Sequence, residues 1–167
     1  MSPGDLLIDA FGRVRESAAA VLDGLSEEQL TARPAPDANT IAWLVWHLAR
    51  VQDDHVAEVA GHEQVWTADG FAERLGLPFD ASETGYGFSS EQVAQVRTTA
   101  ADLAAYVDAV HMRTESYLRG LDADELDRVV DDSWDPPVTL GVRLVSVLDD
   151  DAKHVGQAAY VRGLVTR

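Results

Sequence analysis

The sequence predicts an all-α protein that folds as a four-helix bundle, with residues 1–167 forming a single domain. Four long segments carry apolar residues at steps of three and four, the period of a helix that packs against a core. No segment shows the alternation of apolar and polar residues that is typical of a half-buried strand. A length of 167 residues also suits one domain with a sizeable core.

Start and stop signals delimit the four segments. Ser2 and Thr40 are suitable helix caps, Pro3 suits a first helical position, and Gly61 is a typical helix terminator. Residues 25–30 predict a short turn that begins at a cap, before a proline-rich interruption. We therefore expect helices over Gly4 to Leu25, Thr40 to Ala60, Ser90 to Leu118, and from about Leu140 onwards.

A long segment between the second and third helices, residues 62–90, lacks helical periodicity. It contains several glycines and five aromatic residues, which favour packing over disorder. We expect an irregular lid here, and exposed aromatic side chains in it would favour a homodimer formed through helix faces. The aromatic residues are Trp66, Phe71, Phe79, Tyr86 and Phe88.

Composition excludes several functional classes. The 13 basic and 29 acidic residues give a net charge of −16, which repels nucleic-acid phosphates and anionic membrane surfaces. No apolar stretch is long enough for a membrane span or resembles a signal peptide, so we expect a cytoplasmic protein. The sequence contains no cysteine, so any thiol chemistry requires a thiol from a cosubstrate.

The last helix carries the clearest candidate for a functional site. Asp150 and His154 are four residues apart, which places both on one side of the helix. A carboxylate and an imidazole in this arrangement can bind one divalent metal ion, with a third ligand from another helix. The alternative on spacing alone is a surface ion pair, which is common on helices.

Other polar residues are weaker candidates. His47, near the edge of the apolar face of the second helix, can face the Asp150/His154 pair across a bundle. His55 lies closer to the centre of that face and is the better candidate for a buried core histidine. Asp54 is a candidate for supporting a metal-ligating side chain without touching the metal itself, or it is a solvated acid. His111 is expected at the helix surface or in an interface.

The segment from Thr40 to His55, together with Asp150 to Gln157, resembles the DinB-type superfamily, and most closely its mycothiol-dependent maleylpyruvate isomerase branch. The resemblance implies up-down-down-up connectivity and a divalent metal, zinc or nickel, held by His47, Asp150 and His154. Many members carry histidine at the position of Asp150, and the isomerase branch carries glutamate. Helical phase also allows Asp151 as the carboxylate ligand.

The resemblance further implies an enzyme in which a low-molecular-weight thiol such as mycothiol attacks a small electrophile. In that scheme Arg50 or Arg162 is a candidate for binding an anionic group, and Trp43 and Trp46 for walling a pocket. Gln157 is a candidate for orienting the helix or the site. The alternative function is a non-catalytic bundle that binds a metal, a metabolite or a partner, since the second domain of the full-length isomerase is missing from this sequence.

Overall fold

A computed structural model describes residues 1–166, which are mostly helical. The long helices are α1 (Pro3–Leu22), α3 (Ile41–Ala60), α7 (Ala100–Arg119) and α8 (Leu140–Val165). Short helices fill the connections: α2 (Glu27–Thr31), α4 (Val65–Ala68), α5 (Phe71–Leu75), α6 (Ser90–Gln95) and a 3-10 helix (Ala123–Asp127). Strands β1 (Val129–Asp131) and β2 (Val138–Thr139) form an antiparallel pair just before α8.

Helix α1 packs against α7 and α8, and α3 packs against the same two helices, so α1 and α3 are diagonally opposite. Gly4, at the start of α1, lies so close to the Leu118 carbonyl near the end of α7 that a Cβ would collide with it. These two helices are therefore antiparallel. Arg162 near the end of α8 donates to the carbonyls of Val21 and Asp23 at the end of α1, so α1 and α8 are parallel.

Helix α3 runs antiparallel to α8. Trp43, early in α3, lies against His154 late in α8, whereas His55, late in α3, contacts Arg143 early in α8. With α1 and α8 running up, α3 and α7 both run down. The predicted up-down-down-up four-helix bundle is confirmed, and no helix among residues 1–166 is long and apolar enough to cross a membrane.

A buried polar network anchors the connection between α3 and α7 to the bundle. The Asp53 carboxylate accepts hydrogen bonds from the backbone N–H groups of Val65 and Trp66 and from the Tyr106 hydroxyl, at 2.8–2.9 Å. Arg50 is 0% exposed, lies over the Trp66 ring and donates to the carbonyls of residues 81 and 83. Burial of such a charge is tolerated because its donors are satisfied. The network therefore fixes residues 81–83 against α3.

Three expectations about the elements are wrong in detail. The segment predicted as one helix from Ser90 to Leu118 is two helices, because the Thr99 hydroxyl caps α7 by accepting from the Asp102 N–H. The first helix ends at Leu22 and not at Leu25, whereas the short capped turn predicted over residues 25–30 is confirmed as α2, which Ser26 caps. The short β1–β2 pair was not predicted.

The aromatic residues of the 62–90 segment are packed, as expected of a lid. Trp66 and Phe71 are buried, and Phe79 and Phe88 are half-buried beside Trp46. Tyr86 differs from them, since it is 89% exposed. The exposed aromatic surface that motivated the homodimer is therefore smaller than expected, and the homodimer itself stays a prediction.

Candidate functional site

His47, Asp150 and His154 lie together on the antiparallel α3–α8 pair. One potential ligand atom from each side chain lies within 4.8 Å of the other two, and the two imidazole centroids are 4.8 Å apart. His47 is buried, whereas Asp150 and His154 are half-buried, so the cluster is closed towards the core and partly exposed at Asp150 and His154. We call these three residues the ligand cluster.

A backbone carbonyl sets the orientation of His47. Its Nδ1 lies 2.6 Å from the carbonyl oxygen of Thr84, so Nδ1 carries the proton and donates it. The lone pair of Nε2 is then free for a metal ion. Trp43 stacks on a face of the same ring, with centroids 4.6 Å apart and planes inclined by 11°. The His47 ring is thus fixed by a loop and by its own helix.

Gly85 allows this loop to approach. Its φ is +94°, a conformation that side chains strongly disfavour, and it is buried against α3. A Cβ at this position would lie 2.9 Å from the Trp46 ring and 3.0 Å from His47 Nδ1. Only a glycine therefore lets the Thr84 carbonyl reach the imidazole.

The other two members of the ligand cluster have unused buried polar atoms. Within residues 1–166, neither Asp150 Oδ2 nor His154 Nδ1 has a hydrogen-bond partner. Unpaired buried polar atoms are costly and point to a missing partner such as an ion. Two nitrogens and one oxygen suit zinc, whose tetrahedral ligands lie about 3.4 Å apart at metal–ligand distances near 2.1 Å. The cluster fits a divalent ion after a small contraction.

Burial keeps both imidazoles ready to bind a cation. Desolvation lowers the pKa of His47, against the opposing effect of the Thr84 carbonyl. Desolvation also lowers the pKa of His154, while the neighbouring Asp150 carboxylate acts in the opposite direction. Because both shifts favour the neutral ring, the histidines are unprotonated at neutral pH, as metal ligands must be.

Asp151, the alternative carboxylate, lies outside the ligand cluster. It is 0% exposed on the core-facing stripe of α8 between Val147 and Val155, and its oxygens have no partner in the described chain. Burial, together with the nearby Asp150 charge, raises the pKa of the Asp151 carboxyl well above its ordinary value. Asp150 is therefore the carboxylate positioned beside the histidines.

Two cavities open on opposite sides of the ligand cluster. The polar groove, about 440 Å³, extends along the α3–α8 seam, where Asp54, His55, Arg143 and Ser146 lie beside two valines, Val51 and Val147. The aromatic pocket, about 290 Å³, is lined by Asn39, Trp43, Phe88 and His154. His47, Asp150 and the exposed Tyr86 border both cavities. Two different molecules can therefore reach the same cluster.

Sequence reasoning missed Arg143, which lies at the far end of the polar groove. Arg143 donates to His55 Nδ1 at 3.2 Å and to Asp131 Oδ2 at 3.1 Å. It is seven residues before Asp150, almost two turns and about 10 Å along the same face of α8. That spacing could have revealed it. Thr84 and Gly85 carried no comparable sequence signal.

Several predicted roles are wrong. Arg50 and Arg162, the candidates for anion binding, are instead bonded to protein carbonyls away from the ligand cluster. His55, not His47, was expected to be the buried histidine of α3, yet the His55 side chain is 33% exposed. Trp43 does wall a pocket, whereas Trp46 packs into the core.

Asp54, His111 and Gln157 all lie outside the ligand cluster. Asp54 lines the polar groove, where its Oδ1 accepts from Gln64, so the support that His47 receives comes from Thr84 instead. His111 is half-buried on α7 and lies outside the ligand cluster. Gln157 is exposed and lines a separate surface cavity.

Known proteins match this chain over nearly its whole length. No curated protein matches the sequence. A crystal structure described as the conserved protein of locus from Enterococcus faecalis is 32% identical, has a TM-score of 0.92, and is matched over 99% of this chain and 98% of its own. Residues 6–167 match the family model described as Mycothiol-S-transferase. The chain therefore belongs to the mycothiol S-transferase family of DinB-like helical bundles.

Proposed function

We propose that the protein is a cytoplasmic metal-dependent transferase that joins the sulfur of mycothiol, or a similar small thiol, to a small electrophile. The observation that carries the proposal is the ligand cluster, in which His47, Asp150 and His154 converge with unused donor atoms beside two cavities. Membership of the mycothiol S-transferase family supports the choice of thiol.

In this proposal the three side chains hold one divalent ion, zinc or nickel, through a histidine nitrogen from each helix and a carboxylate oxygen. When bound, such an ion lowers the pKa of a thiol at its open position and so supplies thiolate at neutral pH. The chain itself contains no cysteine, so the reacting sulfur is that of the cosubstrate.

The protein's own residues orient the reactants. The Thr84 carbonyl holds the proton of His47 on Nδ1, which leaves the lone pair of Nε2 for the ion. Trp43 and Phe88 form apolar walls of the aromatic pocket, against which the apolar part of a reactant can pack. The thiol proton goes to solvent, a bond forms between sulfur and the electrophilic carbon, and the leaving group departs with the electron pair of the broken bond.

The test combines metal analysis with a thiol assay. Protein purified without a metal-binding tag should contain about one divalent ion per chain, and the metal-loaded protein should accelerate the reaction of mycothiol with a panel of electrophiles. Bacillithiol and glutathione serve as comparison thiols, and His154→Ala as the inactive variant. Metal that stays absent after zinc or nickel is supplied, or a rate no faster than the uncatalysed reaction, would leave the non-catalytic binding module as the better account.

A further inference from the structure

We propose that the polar groove binds the uncharged, polyhydroxylated end of the thiol cosubstrate, the glucosaminyl-inositol part of a mycothiol-type molecule. The inference rests on the proposed function, because it assigns a chemical part of the cosubstrate to one side of the same site. The aromatic pocket on the opposite side then remains available for the electrophile.

The groove has the length and direction that such a molecule needs. It begins at the ligand cluster and extends along the α3–α8 seam to Arg143, about 10 Å from Asp150 along the helix axis. A thiol that lies in this groove with its sulfur at the cluster has its other end among the polar side chains around Arg143. Tyr86 borders the groove and offers an exposed ring on which the face of a sugar can pack.

The groove presents donors and acceptors side by side. Arg143 uses two nitrogens on His55 and Asp131, while its buried Nε has no partner among residues 1–166 and requires an acceptor. Because arginine can only donate, His55 Nδ1 is the acceptor in their contact and the His55 proton is on Nε2. Asp54 adds carboxylate oxygens, one of which already accepts from Gln64. A ligand hydroxyl both donates and accepts, so hydroxyls match this mixed lining.

The charges around the groove argue against an anionic ligand. The Asp131 carboxylate already accepts from the guanidinium of Arg143, Asp54 adds a second carboxylate to the groove, and Glu58 lies 3.9 Å from His55. The chain as a whole carries a net charge of −16. A carboxylate or phosphate ligand would meet net repulsion here, whereas a neutral polyol would not.

The experiment uses a probe without sulfur, N-acetylglucosaminyl-myo-inositol, titrated into the full-length protein and followed by two-dimensional NMR. We expect saturable shifts at His55, Tyr86 and Ser146. Ser146→Phe, a change at an exposed groove position, should weaken binding at least about tenfold. Val145→Phe is the matched control, since Val145 is the neighbouring residue on α8, is 59% exposed and lies outside the groove lining.

The outcomes separate this inference from the proposed function. Absence of saturable shifts, shifts confined to the aromatic pocket, or equal losses in Ser146→Phe and Val145→Phe would overturn the groove assignment, even if the thiol assay is positive. S-methylglutathione, an anionic probe with a blocked sulfur, should bind more weakly than the glycoside, and tighter binding would also overturn it. Glycoside binding without any thiol turnover would support the groove and remove the transferase.

Discussion

Substitution of Gly85 by alanine should weaken metal binding although Gly85 contributes no ligand. The new Cβ would lie 2.9 Å from the Trp46 ring and 3.0 Å from His47 Nδ1, closer than real Cβ contacts allow. The loop must then retreat, and the 2.6 Å hydrogen bond from His47 to the Thr84 carbonyl lengthens or breaks. Loss of such a supporting bond typically lowers metal affinity about 10- to 100-fold, or about 1.4–2.7 kcal/mol.

The stability of the metal-free protein should fall as well. A positive φ costs an alanine roughly 1–2 kcal/mol, and the overpacking against Trp46 and His47 adds about 1–3 kcal/mol. Gly87 provides the matched control, because its φ is also positive, at +71°, but a Cβ there meets no atom within 4 Å. Gly87→Ala should therefore show the conformational cost alone, with unchanged metal affinity.

Chelator competition measures the metal affinities, and denaturant unfolding of the metal-free proteins measures the stabilities. The reasoning predicts that Gly85→Ala loses both more stability and more metal affinity than Gly87→Ala. If the two variants bind metal equally well, the Thr84 carbonyl does not control the orientation of His47. If both lose affinity equally, strain in the loop and not contact with the imidazole is responsible.

Four further predictions concern the ligands, pH, the core and assembly. His47→Ala and His154→Ala should each abolish metal binding in elemental analysis, whereas His111→Ala should retain the ion; equal losses in all three would indicate instability instead. Burial lowers the pKa of both site histidines below the ordinary value of 6.5. When the pH is lowered from about 8, the metal content should therefore stay constant at least to pH 6.5 and decline only below it. A decline that begins above pH 6.5 would contradict the lowered pKa values. Asp151→Val should raise the unfolding free energy at pH 7 by up to about 4 kcal/mol, the cost of keeping a proton on a carboxyl of ordinary pKa 3.8. The folded state binds that proton more tightly, so wild-type stability falls as the pH rises above 3.8, and the gain from Asp151→Val should shrink as the pH falls to that value; a gain independent of pH would refute the explanation. Light scattering at micromolar concentration should give a dimer, and the monomer mass would exclude the predicted assembly.

Helical periodicity predicted the bundle because each long helix buries one stripe, and caps such as Ser2 and Thr40 located two helix starts correctly. The four-residue spacing also predicted that Asp150 and His154 lie on one side of α8, and the family resemblance identified His47 as the third residue of the cluster. These successes depend on repeats of three and four residues within single helices.

Interactions between distant segments could not be read in this way. The Thr84 carbonyl is a backbone group 37 residues from His47, so residue type carries no trace of its role. Helical phase allowed Asp151 as the carboxylate ligand, yet this aspartate is buried within the apolar face of α8, where aspartate is rarely found. The prediction that His55 is the buried histidine of α3 failed because the 62–90 segment, which the helical pattern does not describe, covers His47 and leaves His55 at a cavity.

The buried Arg50 network has a consequence for how fast the site can open. Residues 81 and 83 are tied through their carbonyls to a guanidinium that is 0% exposed, directly before the loop that contacts His47. Lifting this loop would expose or strand a buried charge, so its local opening should cost nearly as much as unfolding the bundle. Amide hydrogens held in this network should then exchange with solvent at rates close to those of the core, and an ion held beneath the loop should be released slowly.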